Sequence, residues 1–212
     1  MVDPVSLSAR LLDDPGDHGH LGEVDPLALA SQEARVAFWL NVYNALLRGE
    51  LAERPRTGNL IRHRRLFRSA GWLVGEHRYT LDQIEHGLLR RNARPPYALR
   101  SLLRAGDPRL SAAPPAVDPR VHFALNCGAR SCPVVRPYDA TGLDAALEAA
   151  TADYVRRESE VAGGRVLLPG LCRLYRSDFG GDAALRALAA RHLDATVPPG
   201  RLRFTRFDWT LV

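Results

Sequence analysis

The densest group of reactive side chains lies in residues 121–133, which read VHFALNCGARSCP. This segment holds a histidine, His122, and two cysteines, Cys127 and Cys132. A cysteine nucleophile needs a nearby imidazole that stabilises its thiolate and moves a proton. It also needs donors for the oxyanion that forms on the substrate. The segment therefore predicts a thiol-centred site in which His122 assists Cys132 or Cys127.

The same segment contains groups that could bind a substrate. We expect residues 121–127 to form a β-strand, in which alternation places His122 and Asn126 on one face. Gly128 then allows a sharp turn that brings the chain back towards that face. Asn126 and, in the turn itself, Arg130 are the predicted substrate-binding residues of this segment.

Two other uses of these side chains stay open. His122, Cys127, Cys132 and Cys172 could ligate a metal ion, but structural zinc sites pair cysteines more tightly than they are paired here, so we predict no metal and no cofactor. Cys127 and Cys132 could instead form a reversible disulfide, which would make the site redox-sensitive. Three cysteines are too few for a disulfide framework, which is typical of a reducing, cytoplasmic compartment.

One long helix is predicted to support and position the site. Ser31 is a good N-cap, and the sequence from there to about Leu51 is apolar on nearly every face, which predicts a buried central helix. Asn41 and Asn44 lie on one side of it, next to Tyr43. A buried amide needs partners, so these three residues are predicted to line a substrate pocket. Hydrogen bonding of both amides to nearby loop backbone is an equally good interpretation.

A β-hairpin and a second helix follow in the sequence. Residues 72–79 predict the hairpin, with its turn at Gly75. Thr80 and Gln83 form a capping-box pattern that predicts a helix over residues 81–91.

The remaining pattern predicts one α+β domain, mostly helical, built around the buried central helix with a small antiparallel sheet. We expect residues 1–30 to form an N-terminal helix and loop packed on a domain of residues 31–212. The other predicted elements are a helix over 143–157 capped by Thr141, a strand over 165–168, helical turns over 172–179 and a helix over 182–193.

Composition excludes several classes of protein. No stretch of the chain approaches the ~18 apolar residues of a membrane span. The net charge of +5 comes from arginine without any lysine, and the basic run at residues 62–68 is predicted to be the solvated face of a helix. We therefore expect no membrane and no nucleic-acid partner. The predicted partner is a small-molecule or peptide substrate.

Five motifs, in this order, resemble the DUF547 family, a group of proteins of unknown function found in bacteria and, in plants, attached to leucine-zipper segments. The resemblance spans residues 31–212 and implies a single domain. The motifs are FWLNVYN (38–44), IEHGLLR (84–90), HFALNCGARSCP (122–133), YRSDF (175–179) and FDWTL (207–211).

The resemblance implies positions more than roles. It implies that Glu85 and His86, on the helix over 81–91, belong to the site, although a lone helical histidine is more often a core residue. Cys172 stands where the family pattern has no cysteine, which further disfavours a metal site. Val212 stands where the family tends to have asparagine.

Together these observations predict a thiol-dependent enzyme that performs acyl transfer or hydrolyses an amide or thioester. A non-catalytic protein-interaction or small-molecule-binding module, or a redox-sensitive dithiol domain, is the alternative. The predicted catalytic residues are Cys132, Cys127, His122, His86 and Glu85. The predicted substrate-binding residues are Asn41, Asn44, Tyr43, Asn126 and Arg130.

Overall fold

Short helices and two small sheets surround one long helix in the computed structural model, which describes residues 3–163, 165–193, 197 and 200–212. The α-helices are Pro4–Arg10 (α1), Gln32–Glu53 (α2), Arg65–Ser69 (α3), Leu143–Glu158 (α4), Gly170–Leu174 (α5) and Asp182–His192 (α6). A π-helix spans Gln83–Leu89. The 3-10 helices are Pro15–Glu23, Pro26–Ala28, Leu60–His63, Pro108–Ala112 and Pro119–Phe123. The strands are Gly71–Val74 (β1), His77–Thr80 (β2), Glu160–Ala162 (β3), Arg165–Leu168 (β4) and Arg203–Phe204 (β5).

Helix α2 forms the centre of the core, as its sequence predicts. The Ser31 hydroxyl accepts a hydrogen bond from the Ala34 N–H at 3.0 Å and so caps the helix. Every residue from position 36 to position 47 is buried. Helix α1 packs on α2 through Leu7 and Leu11, which belong to the same apolar core. No helix in the described part of the chain is long and apolar enough to cross a bilayer.

The predicted hairpin and capping box are both present. β1 and β2 pair antiparallel, with Trp72 opposite Tyr79. The Thr80 N–H donates to the Gln83 side chain at 3.1 Å, and the Gln83 N–H donates to the Thr80 hydroxyl at 3.3 Å. This reciprocal cap fixes where the following helix begins.

Residues that lie mostly in the C-terminal half of the chain form a second, smaller apolar core. β4 pairs antiparallel with β3 and parallel with β5, and the buried side chains of Val155, Leu168 and Leu185 pack beneath this sheet. The α+β class, with a small antiparallel sheet in a mostly helical domain, is thereby confirmed, and the mixed second sheet adds to it.

The predicted strand over residues 121–127 is wrong. Its first part is the 3-10 helix Pro119–Phe123, which begins where the Asp118 carboxylate accepts from the Arg120 N–H at 2.9 Å. Proline at the first helical position favours this start. The N–H groups of Ala124 and Leu125 then both donate to the Val121 carbonyl at 3.0 Å. Alternation therefore does not place His122 and Asn126 on one strand face.

Two local predictions also differ from the structure. Thr141 does not cap α4: Gly142 occupies the N-cap position and no side chain caps the helix. The segment after α1 contains the 3-10 helix Pro15–Glu23, begun by Asp14, whose carboxylate accepts from the Gly16 N–H at 3.1 Å.

Candidate functional site

The 3-10 helix Pro119–Phe123 lies where the two cores meet. Val121 contributes to the core around α2, whereas Phe123 packs in the second core, with its ring 5.3 Å from that of Tyr154. His122 lies between them and is 2% exposed. Burial of this imidazole requires polar partners, and the structure supplies them from distant parts of the chain.

Asp178 is the centre of a buried ionic network. Its carboxylate accepts from His122 Nε2 at 2.9 Å, from Arg90 Nε at 2.5 Å and from Arg90 Nη2 at 3.0 Å. Burial alone would raise the pKa of Asp178, but the hydrogen bonds from His122 and Arg90 outweigh it and hold that pKa well below its usual value. The His122 ring also stacks on Tyr175, with centroids 3.8 Å apart. The imidazole is therefore held in one orientation.

The π-helix brings His86 to the same arginine. Its i to i+5 hydrogen bonds include the one from the Arg90 N–H to the Glu85 carbonyl, at 2.9 Å, and such turns are frequent at functional sites. His86 Nδ1 accepts from Arg90 Nη1 at 2.9 Å. Burial lowers the pKa of His86 to about 4, with Arg90 adding to the effect of burial and Glu85 opposing it. His86 is therefore neutral near neutral pH.

Glu85 is buried but well supplied with donors. The Tyr175 hydroxyl donates to one carboxylate oxygen at 2.6 Å and the Tyr43 hydroxyl donates to the other at 3.2 Å. Burial alone would raise the pKa of Glu85, but His86 and the hydrogen bond from Tyr175 outweigh it, so the pKa is lowered. The predicted residues Glu85 and Tyr43 therefore form one hydrogen-bonded group.

Cys127 and Cys132 are joined by a disulfide in the structure, with their Cα atoms 6.1 Å apart. The Cys127 N–H also points at Cys132, with N and Sγ 3.0 Å apart. Cys132 is 7% exposed and packs with Leu60 and Ala129. The third cysteine, Cys172, is a free, buried thiol whose pKa burial raises to about 12. The structure therefore has the connectivity of the redox alternative, while its reversibility stays a prediction.

The C-terminal segment forms hydrogen bonds to the loop between Cys127 and Cys132, which is called the cysteine loop. The Arg130 N–H donates to the Thr210 carbonyl at 2.8 Å, and the Ser131 hydroxyl accepts from the Asp208 N–H at 3.0 Å. The Arg130 side chain is exposed and lies 3.6 Å from the Asp208 carboxylate. Arg130 therefore pairs with the C-terminal segment at the surface and is not among the described residues that line the cavity around His122.

Asn126 and Asn44 brace the loop from inside. Asn126 donates to the Pro133 carbonyl at 2.7 Å and accepts from the Gly128 N–H at 2.6 Å. Asn44 accepts from the Asn126 N–H at 2.9 Å and donates to the Ala124 carbonyl at 3.0 Å. These amides fix the backbone that follows His122, and their hydrogen bonds are those of positioning residues.

Asn41 has a different environment from Asn44. Its amide donates to the Tyr138 carbonyl at 2.8 Å and to the Ser8 hydroxyl at 3.2 Å, and it accepts from the Tyr138 N–H at 2.9 Å. All three groups belong to loop or N-terminal segments. The interpretation that this amide satisfies loop backbone accounts for both contacts with Tyr138, and the third contact is with a side chain of α1.

A cavity of about 350 Å³ brings all five predicted catalytic residues together. Its charged, imidazole and sulfur-bearing lining residues are Arg64, Asp82, Glu85, His86, His122, Cys127 and Cys132. Its aromatic lining residues are Tyr43, Phe67, Tyr97, Tyr175, Phe207 and Trp209. Of the predicted substrate-binding residues, Tyr43 lines the cavity, whereas Asn41, Asn44, Asn126 and Arg130 are not among its described lining residues.

Sequence reasoning missed Asp178 and Arg90, which set the orientation of both histidines. Each stands inside a family motif, YRSDF and IEHGLLR, and that is the one signal that could have found them. Among the described residues, no group of three or more histidine, cysteine, aspartate or glutamate side chains has the arrangement of a metal site.

Substituting Asn41 and Asn44 distinguishes an amide that only stabilises the fold from one that also positions the loop between Cys127 and Cys132. Asn41→Ala and Asn44→Ala should each lower the free energy of unfolding, by about 1–3 kcal/mol for each buried group left without a partner. Asn44→Ala alone should also change the alkylation rates of reduced Cys127 and Cys132, because it frees the loop backbone. Urea unfolding and mass-resolved labelling measure the two effects, and equal labelling in both variants would contradict the assignment of Asn44 as a positioning residue.

Comparison with known proteins identifies a family for the chain but gives no activity. The family profile described as "Protein of unknown function, DUF547" matches residues 27–155. No curated protein and no solved structure matches the chain. The matched range includes Glu85, His86, His122 and both bonded cysteines, whereas Asp178 lies beyond it.

Proposed function

We propose that the chain, which belongs to the DUF547 family, is a thiol-dependent enzyme that transfers acyl groups or hydrolyses an amide or thioester. The substrate would be a small molecule or a peptide. The observation that carries the proposal is the hydrogen bond of His122 to Asp178 at the wall of a cavity that Cys127 and Cys132 also line. A cysteine, a histidine and an orienting carboxylate are the parts of a Cys/His nucleophilic site.

His122 has the role of general base in this proposal. Since Asp178 occupies Nε2 as acceptor, that nitrogen carries the proton and Nδ1 has the lone pair. Nδ1 has no hydrogen-bond partner among the described residues. It is thus available to take the proton of a thiol, and the ionised Asp178 stabilises the imidazolium that results.

Cys132 is the proposed nucleophile once the disulfide is reduced. An external dithiol, or two thiols, supplies two electrons and two protons and becomes a disulfide itself, and Cys127 and Cys132 become thiols. The Cys127 N–H, 3.0 Å from Cys132 Sγ, would then stabilise a thiolate on Cys132. Cys127, which is more exposed, is the sulfur that a reducing thiol reaches first.

A redox-sensitive dithiol domain is the second candidate, favoured by the disulfide itself. In that case the bond would form and break as the signal, and the cavity would bind without turnover. The two candidates differ in one consequence: only an enzyme would consume a substrate once its disulfide is reduced.

Labelling with iodoacetamide after mild reduction tests the proposal. Cys132 should alkylate fastest near neutral pH, and Cys172 should stay unlabelled in the folded protein because burial raises its pKa to about 12. Peptide mass spectrometry reads each site separately, and Cys172 serves as the internal control for unfolding. Slow labelling of Cys127 and Cys132 at the rate of an unactivated thiol would contradict thiolate activation.

A further inference from the structure

Asp82 lines the cavity and has no role in the proposed chemistry. It is 4% exposed, and its Oδ2 atom is buried without a hydrogen-bond partner. Its nearest counter-charge is Arg68 Nε at 3.7 Å, on a side chain that is 61% exposed. The Tyr97 side chain is a hydrogen-bonding neighbour of the Asp82 carboxylate, but Oδ2 has no donor. A buried carboxylate oxygen without a donor is destabilising, so its presence in a cavity points to a donor that arrives from outside.

Asp82 takes no part in starting the helix that follows it. It stands in the N-cap position of the π-helix but its side chain caps nothing, because Thr80 and Gln83 already form the cap. Burial raises the pKa of Asp82 to about 6, and Glu85 adds to this, while Tyr97 and Arg68 act against it. The carboxylate is therefore ionised near neutral pH at a cost to the stability of the fold.

The surroundings of Asp82 define what could bind there. Tyr97 and Tyr43 place aromatic rings in the same cavity, and a cation over an aromatic face is stabilised. Arg68 already lies 5.6 Å from the Tyr97 ring centroid, which shows that this ring accepts a cation. Glu85 supplies a second negative charge, and Arg64 at the lining and Arg68 are the opposing positive charges.

We propose that the cavity binds a primary amine that carries an apolar or aromatic group, with its ammonium on Asp82 and its apolar part against the aromatic wall. This deepens the proposed function and rests on it only for the fate of the amine, which would be the acceptor of the acyl group. In that step the amine nitrogen forms a bond to the carbonyl carbon of the acyl thioester on Cys132 as the C–S bond breaks. The bound ammonium first releases one proton to solvent, which frees the lone pair of the nitrogen for the attack. His122 accepts the second proton from nitrogen and returns it to the leaving sulfur, so that Cys132 becomes a thiol.

Benzylamine binding tests the inference directly, with benzyl alcohol as the neutral probe. Isothermal titration should give saturable benzylamine binding at about pH 8 that weakens at least tenfold at about pH 5, where Asp82 is protonated and the amine is still charged. Benzyl alcohol should bind more weakly and with little dependence on pH. Equal affinities for the two probes, or no saturable amine binding, would overturn the inference.

Asp82→Asn keeps the shape and removes the charge. It should weaken benzylamine binding at least tenfold at about pH 8, yet raise the thermal midpoint of unfolding, because a buried ionised group is lost. A purely structural aspartate would instead destabilise the fold when replaced. Asp144→Asn is the matched control, since Asp144 is 88% exposed, and it should change neither measurement. Unchanged amine affinity in Asp82→Asn would reject the assignment.

The outcomes separate this inference from the proposed enzyme. Amine binding without any acyl transfer by the reduced protein would leave the binding site standing and reject the enzyme. Acyl transfer to an amine by Asp82→Asn at the rate of the unsubstituted chain would reject the amine site and leave the enzyme standing.

Discussion

Asp178→Ala is expected to lower the free energy of unfolding by about 3–5 kcal/mol, the usual cost of leaving a buried charge without its partner. Arg90 would lose both of its hydrogen bonds to the carboxylate, and His122 would lose the acceptor of Nε2. Arg90 is 3% exposed, so water cannot replace the lost charge without opening the structure. Urea unfolding followed by circular dichroism measures the loss.

Asp153→Ala is the matched control, because its ion pair with Arg136 is partly exposed. Exposed pairs contribute about 0–1 kcal/mol, so this variant should unfold close to the unsubstituted chain. A loss of similar size in both variants, or a loss under about 1 kcal/mol for Asp178→Ala, would contradict the account of the buried network.

The Asp178 carboxylate also makes the free energy of unfolding depend on pH in the acid range. The pKa of Asp178 in the fold lies well below its usual value because of His122 and Arg90. A depressed pKa contributes stability that is fully present above the unfolded pKa, about 4 for aspartate, and that is lost as the pH falls towards the folded pKa. Asp178→Asn should therefore flatten the acid limb of the stability curve below about pH 4.

His122→Gln is expected to slow the alkylation and acylation of reduced Cys132 about 100-fold or more, the usual effect of removing a positioned general base. Glutamine can still donate to Asp178, so the buried carboxylate keeps a partner while the proton acceptor is lost. The pH profile of alkylation should also shift upwards, because the thiolate no longer forms next to an imidazole.

His20→Ala controls for the loss of a histidine as such, because His20 has a side chain that is 63% exposed and lies outside the cavity lining. Its labelling rates should match those of the unsubstituted chain. Cys172 should remain protected in both variants, which shows that the fold is intact. If His122→Gln labels as fast as His20→Ala, the histidine does not activate the thiol.

Local patterns predicted the elements whose signals are local. The Ser31 cap and the run of apolar residues after it require only neighbouring residues, as do the hairpin turn at Gly75 and the Thr80 cap. The 3-10 helix Pro119–Phe123 was missed because alternating apolar residues fit a strand equally well. The Asp118 and Pro119 pair was the competing start signal, and tertiary packing on both cores decided between them.

Adjacency in sequence predicted one part of the site, while Glu85 and His86 were implied by the family resemblance and Tyr43 by the polar stretch of the central helix. His122, Cys127 and Cys132 share one segment, and they line one cavity. Asp178 joins His122 across 56 residues, and no spacing rule links the two. Asn41 and Asn44 lie on one side of a helix, yet they bind different segments, because partner identity depends on which loop packs opposite each amide.

The central claim is most directly tested by covalent trapping on Cys132. The protein, either oxidised or reduced with a dithiol and then freed of it, is mixed with p-nitrophenyl acetate and analysed by intact and peptide mass spectrometry. The account predicts one acetyl group on Cys132 in the reduced protein, lost again as p-nitrophenol release continues, and none in the oxidised protein or in Cys132→Ser. No adduct on reduced Cys132, or the same p-nitrophenol release from Cys132→Ser, would contradict a thiol-dependent enzyme.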